Sequence, residues 1–214
     1  MRPPARRDAT PLLLLAAATL LLHLALSGRY GFWIDELYFI ACGEHLDWGY
    51  VDHPPLIAFA AQGSRVLLGD SLFAIRFFPA LAHAGLVLLT GWLARALGAG
   101  RFGQVLAALT VLGAPVYLAF GNLLTMNAFE PLLWTALASV IVFAVRREQP
   151  RWLIAGGAIV GFGLLNKHSM GFFAAALGAG LVLTPERRVL RPAWVGAAAL
   201  VCIGRGPTAS ALAG

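Results

Sequence analysis

Charge is scarce in this chain: only 12% of its 214 residues are Asp, Glu, Lys or Arg, about half the share of an ordinary soluble domain. Too few ionic groups remain to cover a water-soluble surface, which excludes that class. Lysine is nearly absent, with Lys167 alone against fifteen arginines. Cysteine is limited to Cys42 and Cys202. One lies in a polar loop and the other in an apolar run, so neither a disulfide framework nor a zinc spacing exists. There is no Walker A pattern and no Asp-x-Asp of the kind that holds a nucleotide-sugar through a metal, so no nucleotide is expected. Strict polar–apolar alternation is missing too, which excludes a membrane barrel.

What is present is apolar length. Hydrophobic residues make up 59% of the chain and the mean hydropathy is +0.77. A helix of about 20 apolar residues crosses a bilayer. Runs near that length occur at 11–27, 71–97, 104–120, 128–145, 152–165 and 171–183, and a seventh begins near 193. The fold expected is an all-α polytopic transmembrane bundle of six or seven spans. The first run also admits a signal-peptide reading, because Ala25-Leu26-Ser27 resembles a cleavage site; a retained anchor is preferred. The 24 glycines fit close helix packing in a membrane. Residues 1–203 read as one membrane domain. The stretch 204–214 breaks the apolar pattern, and a truncated or frame-shifted chain is expected there.

The net charge of +6 does not point to nucleic acid. The cations fall in short clusters between apolar runs, as topology signals do. With the N-terminus in the cytoplasm, the inner segments hold Arg2, Arg6, Arg7, Arg95, Arg101, Arg146, Arg147, Arg151, Arg187, Arg188 and Arg191. The outer segments hold only Arg29, Arg65, Arg76 and Lys167. Acids run the other way: Asp35, Glu36, Glu44, Asp47, Asp52, Asp70 and Glu130 are outer, while Asp8, Glu148 and Glu186 are inner. Carboxylate chemistry is therefore expected on the extracytoplasmic side.

The outer loop 28–69 concentrates the polar groups. Ile34, Leu37, Tyr38 and Ala41 recur at helical spacing, which predicts a short interfacial helix with Trp33, Tyr38 and Trp48 as belt residues. Asp35 and Glu36 open that helix, and a helix N-terminus favours acids in any case. Pro54 and Pro55 cannot sit inside a helix but can start one. They place Asp52 and His53 at a rigid turn and predict a second interfacial or partly inserted helix at 56–68. On the same side lie Arg76, Asn127, Glu130, Lys167 and His168. Arg76 and Lys167 have ordinary readings as cations reaching the headgroups, and Glu130 as an acid at a helix start. Together the groups suit a different job. Carboxylates can take a proton from a hydroxyl, and cations, with a divalent metal on Asp52 and His53 as one option, can neutralise a departing phosphate.

Trp33-Ile34-Asp35-Glu36-Leu37-Tyr38, Trp48-Gly49-Tyr50 and His53-Pro54-Pro55-Leu56 resemble the first outer loop of the dolichyl-phosphate-mannose-protein mannosyltransferase-like proteins. These are bacterial glycosyltransferase family 39 and its relatives in the GT-C superfamily, including the aminoarabinose transferase of lipid A. Ala74-Ile75-Arg76-Phe77-Phe78-Pro79-Ala80, Asn127-Ala128-Phe129-Glu130-Pro131 and Leu164-Leu165-Asn166-Lys167-His168-Ser169 resemble later segments. The resemblance covers about 12–200. It implies inverting transfer of a sugar from a polyprenyl-phosphate donor to an acceptor lipid, polysaccharide or protein outside the cytoplasm of a bacterial inner membrane. It places Asp35 as the catalytic acid with Glu36 as its neighbour, Asp52 at a metal, and Lys167, His168, Arg76 and His53 near the donor phosphate, with Asn127 and Glu130 beside them. His53 stands where the lipid A branch has lysine. The family usually has about twice as many spans, so that half is missing here.

Two other classes compete. A secondary transporter or flippase needs paired ionisable groups within the spans. Only His23 and His83 lie there, neither with a charged partner in view, and the loop 98–103 lacks the Asp–Arg pattern of major facilitator proteins. An inactive, truncated membrane partner is the third.

Overall fold

Proline and glycine set most of the element boundaries. In a computed structural model of the chain, which describes residues 9–190 and 192–203, Pro11 lies in the first turn of α1 (Thr10–Leu26), where its missing N–H costs nothing. After a turn, α2 (Ile34–Glu44) and α3 (Leu56–Leu68) follow, with Pro55 capping α3 at its start and Gly69 (φ 90°) closing it. Ser71 caps α4 (Leu72–Ala96), its hydroxyl accepting from Ala74 N at 3.2 Å. Then come α5 (Arg101–Gly113), α6 (Pro115–Phe120), α7 (Met126–Arg146), α8 (Trp152–Asn166), α9 (Ser169–Val182), a 3-10 turn at Pro185–Val189 and α10 (Pro192–Ile203). No strand occurs among the described residues. The expected all-α bundle is what the chain forms. The cations Arg2, Arg6, Arg7 and Arg191, Asp8, and the tail 204–214 lie outside the described residues.

One expected span is not continuous. The run 104–120 is broken at Ala114, which takes an extended conformation (φ −69°, ψ 122°) between α5 and α6. Pro115 is the cause, because it disfavours a helical residue before it and has no N–H to continue the ladder.

The centre of one half is α4, which packs against α1, α3, α5 and α7; α8 plays the same part for α7, α9 and α10. Close approach relies on small residues, as in membrane bundles generally. A Cβ on Gly91 of α4 would stand 2.5 Å from Leu12 Cδ2 of α1, and one on Gly157 of α8 would run into the Ala198 carbonyl of α10. Large apolar side chains such as Leu14, Leu21, Phe102, Phe172 and Leu200 point outward, as lipid-facing residues do. Both α4 and α7 are long and apolar enough to cross a membrane.

At the end where α2 and α3 lie, Phe39, Ile57, Ala61, Ile75 and the fully buried Leu124 form one apolar cluster. It locks α2 and α3 onto α4 and onto the turn between α6 and α7. That cluster is the floor on which the polar groups stand.

Candidate functional site

The site begins with Glu36. It is the third residue of α2 and reaches back to accept from Trp33 N at 2.9 Å, satisfying a helix-end donor that would otherwise be orphaned. Its carboxylate is fully buried. Oε1 accepts from Arg76 Nε (3.0 Å) and Leu124 N (3.0 Å), and Oε2 from Arg76 Nη2 (2.8 Å) as well as Trp33 N. Arg76, on α4, is 3% exposed. Its Nη1 donates to Ser27 O (2.6 Å) and Tyr30 O (3.2 Å), and its Nη2 also donates to Gly31 O (2.8 Å). A guanidinium has five N–H groups, and here each has a partner. This pair therefore ties the end of α1, the start of α2, the first turns of α4 and the α6–α7 turn together, with no donor left to offer a ligand.

Asp35 is the contrast. One residue away, it is exposed and has no hydrogen bond or ion pair among the described residues. The helix puts adjacent residues about 100° apart, so burying Glu36 against α4 turns Asp35 outward.

Asp52 is 61% exposed and accepts from the Tyr38 hydroxyl at 2.7 Å. That bond pushes the Tyr38 phenol well above its ordinary range, since ionisation would set a phenolate beside a carboxylate. His53 is 3% exposed. It stacks on Tyr50 at 4.7 Å and meets Tyr38 and Phe39 edge-on. Its Nδ1 lies 2.9 Å from the Pro54 carbonyl, which can only accept, so Nδ1 carries a hydrogen. Nε2 faces Cys42 Sγ at 3.7 Å and Asp52 Oδ1 at 3.9 Å. His53 is thus boxed within protein groups. Among the described residues no group of three or more His, Cys, Asp or Glu side chains is arranged to hold a metal ion. Asp52 and His53 supply two groups at most, a poor fit for a protein-held metal, and no chemistry below is routed through one.

Lys167 follows the end of α8. Its Nζ donates to Asn127 Oδ1 at 2.8 Å and lies 3.4 Å from Glu130 Oε2, while the Ser169 hydroxyl donates to Glu130 Oε1. The Lys167 side chain is 38% exposed and Glu130 15%. His168, at the start of α9, is exposed. Glu130, Trp134, Asn166 and Lys167 border a narrow crevice beside them that leaves essentially no room for a water molecule. Trp134 Nε1 and Asn166 Oδ1 have no partner there.

The two clusters share a strut. Leu124 N reaches Glu36, and two residues on, the Met126 carbonyl accepts from Asn166 Nδ2 at 3.0 Å. Asp35, Glu36, Arg76, Asp52, His53, Asn127, Glu130 and Lys167 therefore belong to one end of the bundle, as the alternating loops require. Sequence reasoning missed Leu124 N, Tyr38 as a partner of Asp52, and Ser169. A backbone donor leaves no mark in a sequence, whereas the polar Ser169 beside Lys167 was open to notice.

The acids and the partly exposed Lys167 are thus gathered at one end of an all-helical bundle. The family model described as dolichyl-phosphate-mannose-protein mannosyltransferase matches residues 52–204, well over half of the chain, and the chain belongs to that family. It is also 34% identical over 119 residues to the undecaprenyl phosphate-alpha-4-amino-4-deoxy-L-arabinose arabinosyl transferase of Aeromonas salmonicida (strain A449). That match covers 53% of this chain and 21% of the relative, so the chain spans about a fifth of the relative's length. Asp52, His53, Arg76, Asn127, Glu130 and Lys167 fall inside the family match, and Asp35 and Glu36 stand before it.

Proposed function

We propose that this chain forms the donor-binding and base-bearing part of a membrane glycosyltransferase that moves a sugar from a polyprenyl-phosphate carrier to a hydroxyl on the extracytoplasmic side. Asp35 takes the proton of the acceptor hydroxyl. The acceptor oxygen bonds to the anomeric carbon as the bond from that carbon to the phosphate oxygen breaks, and configuration inverts. The polyprenyl phosphate leaves with the electron pair, and Lys167 neutralises its charge. Glu36 and Arg76 hold the frame. The single observation that carries this reading is the exposed, unpartnered Asp35 set rigidly beside a fully satisfied buried ion pair. Lys167 fits its role because its ammonium is partly exposed and its two partners can be exchanged for phosphate oxygens. The relative's name supports an undecaprenyl-phosphate carrier with an amino-sugar.

Asp35→Asn, measured for transfer from a polyprenyl-phosphate sugar in proteoliposomes, should lose activity by about 10²–10⁴-fold, the usual contribution of a general base, with expression and melting unchanged. Transfer at the original rate in that variant would remove the mechanism. Sidedness has its own control. Cys42 is buried, so the place to label is Val51, fully exposed in the α2–α3 loop. Val51→Cys should react with a membrane-impermeant maleimide from outside intact cells; reaction only from the cytosolic side would invert the topology.

A further inference from the structure

Two polar atoms beside Lys167 are left without a partner, and they are opposite in kind. Asn166 closes α8 and is 1% exposed. Its Nδ2 donates to the Met126 carbonyl at 3.0 Å. A carbonyl only accepts, so that bond fixes which end of the amide is nitrogen and leaves Oδ1 as a bare acceptor. Trp134, on α7, carries an indole N–H, which only donates. Its ring stacks on Phe173 of α9, with centroids 4.7 Å apart and planes inclined by 6°. Its Nε1 is buried and unpaired, as is Asn166 Oδ1. Both side chains border the crevice that Glu130 and Lys167 also line.

Each such atom costs free energy while it stays unpaired. A water could accept from the indole and donate to the amide, but the crevice has essentially no room for one. What fills the space is apolar. Met170 of α9 is 2% exposed and borders the crevice together with Leu133 and Gly163. It lies so close to α8 that a Cβ on Gly163 would stand 2.5 Å from Met170 Cγ. An unbranched thioether with three rotatable bonds is an adaptable wall. Lys167, extended at φ −161° between α8 and α9, interrupts the helical path beside it. This side of the crevice can therefore give way where a branched side chain on an unbroken helix could not.

We propose that Trp134 Nε1–H and Asn166 Oδ1 form a subsite for one hydroxyl of the sugar carried on the donor phosphate. The inference rests on the role given above to Lys167 as the partner of that phosphate. A hydroxyl matches the pair, since one oxygen accepts from the indole and donates to the amide. An ammonium has no lone pair for the indole, and an ionised phosphate oxygen has no hydrogen for the amide. A deoxy position offers neither, and would leave both buried atoms unpaired. The subsite thus selects on the sugar, while Lys167 attends to the phosphate that every such carrier shares. Trp134 and Asn166 are specificity residues, and neither moves a proton.

The test uses the full chain in lipid nanodiscs and two probes, undecaprenyl phosphate and undecaprenyl phosphate bearing mannose, with the Kd of each measured. Trp134→Phe keeps a ring to stack on Phe173 and removes the N–H. It should raise the Kd of the mannosyl carrier by about 3–10-fold, the worth of one neutral hydrogen bond, and leave that of the bare carrier unchanged. The variant should melt no lower than wild type, because it loses no bond that the chain makes. Losses equal for the two carriers, or no loss, overturn the subsite alone, provided that Lys167→Met weakens both. So does a wild-type chain that binds both carriers equally. Carriers that do not bind, or that bind regardless of Lys167→Met, overturn the donor reading and the subsite with it. Should Trp134→Phe fail to fold, wild type decides with a series of carriers each lacking one sugar hydroxyl. One position should stand out by a similar factor or more, and a series without such a position overturns the proposal.

Discussion

Arg76 and Lys167 are cations at the same end of the bundle, and they differ in how much of their bonding capacity the chain itself uses. Every N–H of Arg76 has a protein acceptor, all five on segments 27–31 and 36, which precede Arg76 by 40 positions or more. Lys167 has one firm bond, to Asn127, and a looser approach to Glu130. A guanidinium fork with all positions filled is a fixed joint. An ammonium with two side-chain partners and an open face can change partners when a phosphate arrives. The same split divides Glu36 from Asp35: the buried acid has its partners within the chain, and the exposed side chain has none among the described residues. Degree of satisfaction, more than residue type, separates the groups that join the framework from those left open.

The largest effect should follow from breaking the joint. Arg76→Met leaves the Glu36 carboxylate buried without its counter-charge, and removing one partner of a buried pair costs about 3–5 kcal/mol. Melting of the purified chain in detergent should fall steeply, and a variant as stable as wild type would show that the pair is not the frame. Glu36→Leu combined with Arg76→Met should recover only part of the loss. It removes both charges but strands the Leu124 and Trp33 amides and the 27–31 carbonyls.

Lys167→Met sharpens the other side of the comparison. Its pair with Glu130 is partly exposed, and such pairs contribute about 0–1 kcal/mol, so melting should move little. Binding of a polyprenyl phosphate should weaken by about 10–100-fold, corresponding to about 1.5–3 kcal/mol for a charge-assisted bond. Equal donor affinity in wild type and variant, read by photo-crosslinking of the lipid phosphate, would leave Lys167 as an ordinary interfacial cation.

Much of the architecture was legible because membrane helices announce themselves by apolar length and are stopped by proline and glycine. Residues 56–68 were bounded by Pro54-Pro55 and Gly69, and α3 occupies that range. The break in the run 104–120 escaped, since hydropathy is continuous across Ala114, although Pro115 carried the signal. Side-chain pairing was much less visible. Glu36 and Arg76 lie 40 residues apart, and each has an adequate local explanation as a helix-end acid or an interfacial cation. His23 and His83 are 60 apart and seemed unmatched only because the partner sought was a charge. Helix periodicity tells which residues share a face, while the choice between Asp35 and Glu36 for burial depended on where Arg76 would stand.

The smallest effect concerns Tyr38 and Asp52, whose bond at 2.7 Å is exposed to solvent. Hydrogen bonding to Asp52 raises the Tyr38 phenol above its ordinary value of 10.0. A group whose folded value is raised stabilises the fold below its unfolded value and loses that contribution as pH climbs through the folded one. Stability from this bond should thus be constant through neutral pH and decline only in strong alkali. In an ultraviolet titration, the phenolate signal that disappears in Tyr38→Phe should develop at higher pH than that of a tyrosine model peptide in water. Simultaneous ionisation would mean that Asp52 is not held by Tyr38, and would align Asp52 with Asp35 as a carboxylate left free for substrate instead of with Glu36 as part of the frame.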